Sequence, residues 1–249
     1  MHTIPYGEAP DQAGDLHLPT QPAAPLLCLF HGGFWRMPYG RDQLHPVATA
    51  LASAGFAVWN LGYRRVGAGG APWPATFDDV RSALRFIPQL STSPYQVDLQ
   101  RVVLVGHSAG GHLAFWGAAE AVRLRLPFRL AGVVGLAPLL DLVAAARTRL
   151  GDGAAEALLG GPPDLLPDRY RLASPQARLP LGVRQIILHG EHDEAVPARH
   201  SRAYTQRAAA LGDDITYVEI RGADHMTFLD PTSYSYGLLL SHLSRLTTA

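Results

Sequence analysis

The stretch from Val102 to Ala114, VVLVGHSAGGHLA, constrains this chain more than any other. Four apolar residues, Val102 to Val105, read as a strand buried on both faces, and an apolar pattern of helical spacing follows from Gly110. Between them lies Gly106-His107-Ser108-Ala109-Gly110, a G-x-S-x-G. A strand that becomes a helix within so few residues turns sharply, and the flanking glycines leave space for that turn. Ser108 then stands at the apex, at the head of a helix whose dipole favours negative charge. Such a turn belongs in an α/β layout with a mostly parallel sheet.

The rest of the chain fits that layout. Strand-like runs cover 26–30, 57–61, 102–105, 130–136, 185–188 and 215–220. Helical spacing covers roughly 42–54, 77–90, 110–125, 198–211 and 232–246. Alternation of this kind predicts a mostly parallel central sheet with helices on both faces. Right-handed crossovers then put every strand-to-helix loop at one edge of the sheet. Two segments break the rhythm. The loop 64–75 is long, and 139–180 is irregular and reads as a short lid insertion. With 249 residues and no internal repeat, residues 1–249 are expected to form one domain.

Serine needs an adjacent base, and the base needs an acid to hold its tautomer. Of the 11 histidines, His225 in GADH follows the last strand at the expected edge. Asp193 in HGEHDEAVP follows the preceding strand at the same edge. The chain order Ser108, Asp193, His225 suits this kind of sheet. Asp224, Glu191 and Glu194 compete with Asp193, while His107 and His112 read as packing residues beside the turn. His189 and His192 raise a metal-assisted alternative with Asp193. No H-E-x-x-H or Cys/His zinc spacing accompanies them, so no metal and no cofactor is expected.

The first core strand leaves through His31-Gly32-Gly33, then Phe34, Trp35 and Arg36. Glycines there let backbone N–H groups approach a ligand. Attack by Ser108 on a carbonyl creates an oxyanion, and preorganised N–H donors lower that barrier. Ala109, Gly33 and Phe34 are the expected donors. Trp35, Tyr39 and Met226 are candidates to line the substrate pocket, with a core role for Trp35 as the alternative.

Composition narrows the function classes. Charges balance, 21 basic against 21 acidic, and every basic residue besides His is Arg, so no basic block invites nucleic acid. Cys28 is the single cysteine and lies inside a strand, which excludes an internal disulfide and suits a reducing compartment. The N-terminus carries no cationic start or apolar run, and no stretch is long enough to span a bilayer. A cytoplasmic protein with a small-molecule ester or amide substrate is expected, its oligomeric state open. A scaffold that binds a ligand without turnover is the non-enzymatic alternative.

The segments HGGFW, GHSAGG, HGEHDEAVP and GADH together resemble the α/β-hydrolase superfamily over nearly the full length. HGGFWR with GHSAGGHLA resembles the kynurenine formamidase (arylformamidase) group and related small esterases. The resemblance implies a Ser108–Asp193–His225 triad with an oxyanion hole at Gly33, Phe34 and Ala109. It implies a cofactor-free hydrolase acting on a small-acyl ester or aryl formamide. That group often has Phe after the catalytic His, where this chain has Met226. HGG also marks general carboxylesterases of the acetyl or feruloyl esterase type, which is the alternative.

Overall fold

Alternate residues of the central strands face two different apolar clusters. In strand β3 (Pro25–Phe30), Leu26, Cys28 and Phe30 join one cluster while Leu27 and Leu29 join the other. Strand β5 (Asp98–His107) divides the same way, with Val102 and Leu104 against Val103 and Val105. Burial on both faces is the physical reason these runs are apolar throughout. The structure is a computed structural model describing residues 1–67, 72–92 and 94–248, so 68–71 of the long loop lie outside the described residues.

The other strands are β1 (His2–Pro5), β2 (Ala13–His17), β4 (Ala57–Leu61), β6 (Leu130–Leu136), β7 (Gln185–Gly190) and β8 (Ile215–Ile220). The sheet order is β1-β2-β4-β3-β5-β6-β7-β8. From β4 across to β8 each neighbouring pair is parallel, while β1 and β2 add an antiparallel edge. Helices α1 (His45–Ser53) and α8 (Tyr234–Thr248) cover one face. Helices α2 (Pro72–Phe86), α3 (Ala109–Leu124) and α7 (Arg199–Ala210) cover the other. This is an α/β-hydrolase arrangement. The irregular segment holds three short helices between β6 and β7: α4 (Leu142–Arg147), α5 (Leu150–Leu159) and α6 (Pro167–Ala173). Their Ala146, Ala155, Leu158 and Tyr170 belong to the same cluster as α3. Among the described residues no helix is long and apolar enough to cross a membrane.

The sequence pattern shows six strands, and the sheet has eight. Of the missing pair, β1 is mostly exposed and β2 carries polar residues inward. Asp15 of β2 is 3% exposed, yet it accepts hydrogen bonds from Thr3 Oγ1 (2.7 Å) and Arg41 Nε (2.7 Å) and lies 2.9 Å from His45 Nε2. A buried carboxylate satisfied by distant partners defeats a reading based on apolar runs.

Three buried histidines give the fold an acid limit. Burial pushes His31 and His107 down to about 3 and His112 to about 4, from an ordinary value of 6.5. Between those values and pH 6.5 the unfolded chain binds protons that the folded chain does not, so stability rises with pH. Each histidine contributes a slope of up to about 1.4 kcal/mol per pH unit in that window. Asp15 and Glu120 are held down at about 2, burial opposing and the hydrogen bonds of their arginines and other donors prevailing. Their contribution is complete above about pH 5 and is lost only as pH falls toward 2. The urea midpoint is therefore expected to drop steadily from pH 7.5 to pH 5. A flat midpoint over that range would refute the histidine account.

Candidate active site

The apex of the β5–α3 turn is strained. Ser108 has φ +55° and ψ −120°, a conformation that costs a non-glycine residue about 1–3 kcal/mol. Its backbone is held on both sides: Ser108 N–H donates to Leu136 O (2.8 Å), and His112 N–H donates to Ser108 O (3.2 Å). Gly110 makes the turn possible, because a Cβ there would fall 2.0 Å from Phe30 O. Strand β3 can thus press directly on the first turn of α3.

His225 and Asp193 come together from the loops after β8 and β7. His225 Nδ1 lies 2.6 Å from Asp193 Oδ2. A carboxylate only accepts, so Nδ1 carries the proton and Nε2 of the neutral ring is left as a lone pair. Asp193 Oδ1 accepts from Val196 N–H (2.7 Å). Burial alone would raise the Asp193 carboxyl, but hydrogen bonds from His189, His225 and Val196 N–H hold it well below the usual range. It is therefore ionised whenever the protein is folded near neutral pH.

The base loop is docked on the serine turn through His107. His107 Nε2–H donates to His225 O (2.9 Å), and the two rings lie 4.6 Å apart between centroids. The residue before Ser108 thus fixes the backbone of His225. Sequence reasoning took His107 as packing alone. Its motif position was visible, but a contact to a carbonyl 118 residues away left no local signal. The Ser108 hydroxyl makes no hydrogen bond among the described residues. In hydrolases without substrate this contact is often open and closes on binding.

The turn after β3 lies against Ser108. A Cβ on Gly32 would sit 3.2 Å from Ser108 Cβ and 2.9 Å from His107 Nδ1. Gly33, Phe34 and Trp35 have φ of +96°, +48° and +56°, so three consecutive residues take left-handed conformations. Trp35 anchors them, with Nε1 within 3.1 Å of both Ala109 O and His112 Nδ1. The N–H groups of Gly33, Phe34 and Ala109 have no acceptor among the described residues. Arg36 clamps the turn from outside, donating to Gly151 O (2.8 Å) and Asp152 O (3.1 Å) in the insertion. Phe34 fills the space above Gly151, where a Cβ would fall 2.5 Å from its ring.

The three pocket candidates differ. Trp35 has no exposed surface, so it braces the turn and does not face an open pocket. Its burial favours the alternative of a core residue over a pocket-lining one. Tyr39 is 48% exposed and packs against Gly33, whose added Cβ would lie 2.3 Å from Tyr39 Cβ. Met226 is 54% exposed beside His225. The metal alternative loses its geometry. His189 is fully buried with both ring nitrogens engaged by Ser201 and Val196, whereas the His192 side chain is 68% exposed. Among the described residues no three His, Cys, Asp or Glu side chains are grouped to hold a metal ion.

Comparison with known proteins agrees with this layout. The sequence model of a family described as BD-FAE matches residues 15–207. The chain is 24% identical over 236 residues to a kynurenine formamidase of Danio rerio, covering 91% of this chain and 75% of that protein. It is 26% identical over 232 residues to esterase LipQ of Mycobacterium tuberculosis, covering 81% of this chain and 50% of LipQ. Thus it spans three quarters of the first relative's length and half of the second's. A truncated carbohydrate esterase from gut microbiota superposes with TM-score 0.86 at 21% identity, over 100% of this chain and 96% of that one. An acetyl ester-xyloside bifunctional hydrolase from Caldicellulosiruptor lactoaceticus gives 0.79 at 21% identity, over 98% and 96%. At such identity the structural likeness establishes the fold.

Proposed function

The chain belongs to the BD-FAE family, and from that premise we propose that it is a cofactor-free serine hydrolase of small-acyl esters or aryl formamides. The observation that carries this reading is the 2.6 Å pair of Asp193 and His225, docked on the Ser108 turn by His107. Ser108 Oγ attacks the substrate carbonyl carbon, and His225 Nε2 takes the hydroxyl proton. The carbonyl oxygen becomes an oxyanion, which the N–H groups of Ala109, Gly33 and Phe34 receive. One such donor is worth about 2.7–4 kcal/mol in the transition state. Collapse breaks the bond to the alcohol or amine, which leaves with the proton from His225. Water, deprotonated by the same ring, then attacks the acyl carbon and frees Ser108. Asp193 stays ionised and steadies the imidazolium throughout.

The surroundings favour a small acyl group. Ser108 is only 2% exposed, and Phe34 of the neighbouring turn is seated on Gly151 of the insertion. Tyr39, packed against Gly33, and Met226, next to His225 in sequence, are both exposed and are the side chains proposed to meet an aromatic leaving group. On a p-nitrophenyl series, kcat/KM is expected to fall at least roughly 100-fold from acetate to octanoate, the size of a few kcal/mol of steric penalty. N-formylkynurenine assayed alongside p-nitrophenyl acetate separates the two leaving-group classes. A preference of about two orders of magnitude for the formamide identifies a formamidase, and the reverse a carboxylesterase. Equal turnover of acetate and octanoate would remove the small-acyl reading.

A further inference from the structure

His189 takes no part in the reaction as proposed, yet it touches the acid that supports the base. It is the penultimate residue of β7, has no exposed surface, and lies four residues before Asp193. Its Nε2 is 2.7 Å from Val196 O and 3.2 Å from Asp193 Oδ2. Because a carbonyl only accepts, Nε2 carries the proton. The Nδ1 of the neutral ring then accepts from the Ser201 hydroxyl, 2.8 Å away and fully buried on α7. The Val196 carbonyl thus selects the tautomer that points N–H at the Asp193 loop, and Ser201 complements it by donating to Nδ1.

We propose that His189 is a positioning residue for Asp193, setting both the orientation of its carboxylate and the strength of its hold on His225. The proposal rests on the assignment of Asp193 as the partner of the base. Two features separate it from plain core packing. First, the His189 N–H that donates to Val196 O also lies 3.2 Å from Oδ2 and helps hold its charge, and Oδ2 is the same oxygen that accepts from His225 Nδ1 at 2.6 Å. A second donor on one oxygen reduces the charge it offers to the first. Second, the loop is closed on itself: Val196 gives its N–H to Asp193 Oδ1 and its carbonyl to His189. The carboxylate therefore cannot rotate without breaking the His189 contact. A chain of contacts runs Ser201, His189, Asp193, His225 from α7 to the base. The other titratable groups facing this chain are His107 from β5, Glu219 from β8, Asp224 from the base loop and His200 from α7.

The test compares His189→Phe, His189→Gln and Ser201→Ala with the wild type. Two readouts are used: the acid limb of kcat/KM on p-nitrophenyl acetate, and the ring titration of His225 followed by nitrogen NMR. In His189→Phe the carboxylate loses a donor and binds the imidazolium more strongly. Limb and titration are expected to move together to higher pH by about 0.5 unit, with kcat roughly tenfold lower. His189→Gln retains an N–H donor and is expected to restore both. Ser201→Ala removes the donor to Nδ1, which loosens the ring while Val196 O keeps its tautomer, and gives a smaller shift in the same direction. A His189→Phe protein that melts earlier but titrates like the wild type overturns the proposal and leaves His189 a packing residue. Should His189→Phe not fold, an unshifted Ser201→Ala overturns it equally. Absence of esterase activity in the wild type would instead defeat the hydrolase reading, and the ring titration would still decide the role of His189.

Discussion

Replacing Ser108 by alanine is expected to lower kcat/KM on p-nitrophenyl acetate by at least about 10⁴-fold while the protein remains folded. The size follows from the chemistry. Without the hydroxyl there is no acyl-enzyme, and only N–H donors and substrate binding remain to assist water. The intact fold follows from the contacts. What holds the strained φ of +55° is backbone: Ser108 N–H on Leu136 O and Ser108 O under His112 N–H. Alanine keeps both, and the side-chain hydroxyl has no hydrogen bond among the described residues to lose. The melting temperature is therefore expected within a few degrees of the wild type, the range of a ~1 kcal/mol change in a chain of this size. Circular dichroism melts and initial rates on the same preparation check both halves. A purified Ser108→Ala protein with more than a few per cent of wild-type turnover would mean that another group supplies the nucleophile.

The sequence exposes some parts of this molecule and hides others for physical reasons. Strands at 57–61 and 130–136 are legible because burial on both faces forces an apolar run, and the observed β4 and β6 have those bounds. The turn at Ser108 is legible because its glycines are steric requirements of a tight crossing. The insertion between β6 and β7 is visible only as irregularity. Its helix α5 opens with Gly151, Asp152 and Gly153 all at positive φ, which no helical periodicity announces. The edge strands β1 and β2 are hidden because Asp15 and His17 point inward, with Asp15 matched by Arg41 from beyond β3. Trp35 shows the same limit at the site. Whether an aromatic beside a glycine turn faces substrate or core depends on where Ala109 O and His112 lie, and neither adjoins it in sequence. His189 belongs with these: a histidine four residues before an aspartate reads as a metal pair or as packing until its proton's acceptors are known.

Changing Asp193 to asparagine is expected to lower kcat by about 10⁴-fold, because no orientation of the amide satisfies its neighbours. Every contact to the carboxylate is a donor: Val196 N–H on Oδ1, with His225 Nδ1 and His189 Nε2 on Oδ2. If the amide oxygen faces the rings, its NH2 group opposes Val196 N–H. If the NH2 group faces the rings, His225 must turn its lone pair toward it and move its proton to Nε2. The base is then protonated on the nitrogen that should receive the Ser108 proton. The first arrangement leaves a buried donor unpaired, at a cost of about 1–3 kcal/mol in stability. The second pairs Val196 N–H, leaves His189 N–H to Val196 O facing the amide at a smaller cost, and abolishes the base, so the variant is expected to settle into the inactive tautomer. Glu194→Gln, one residue on and exposed, is the matched control and is expected to retain wild-type rates. Nitrogen NMR of His225 reads the tautomer directly, and the rate reads its consequence. An Asp193→Asn protein within about tenfold of wild-type kcat, with the His225 proton still on Nδ1, would show that the base takes its orientation from some other group.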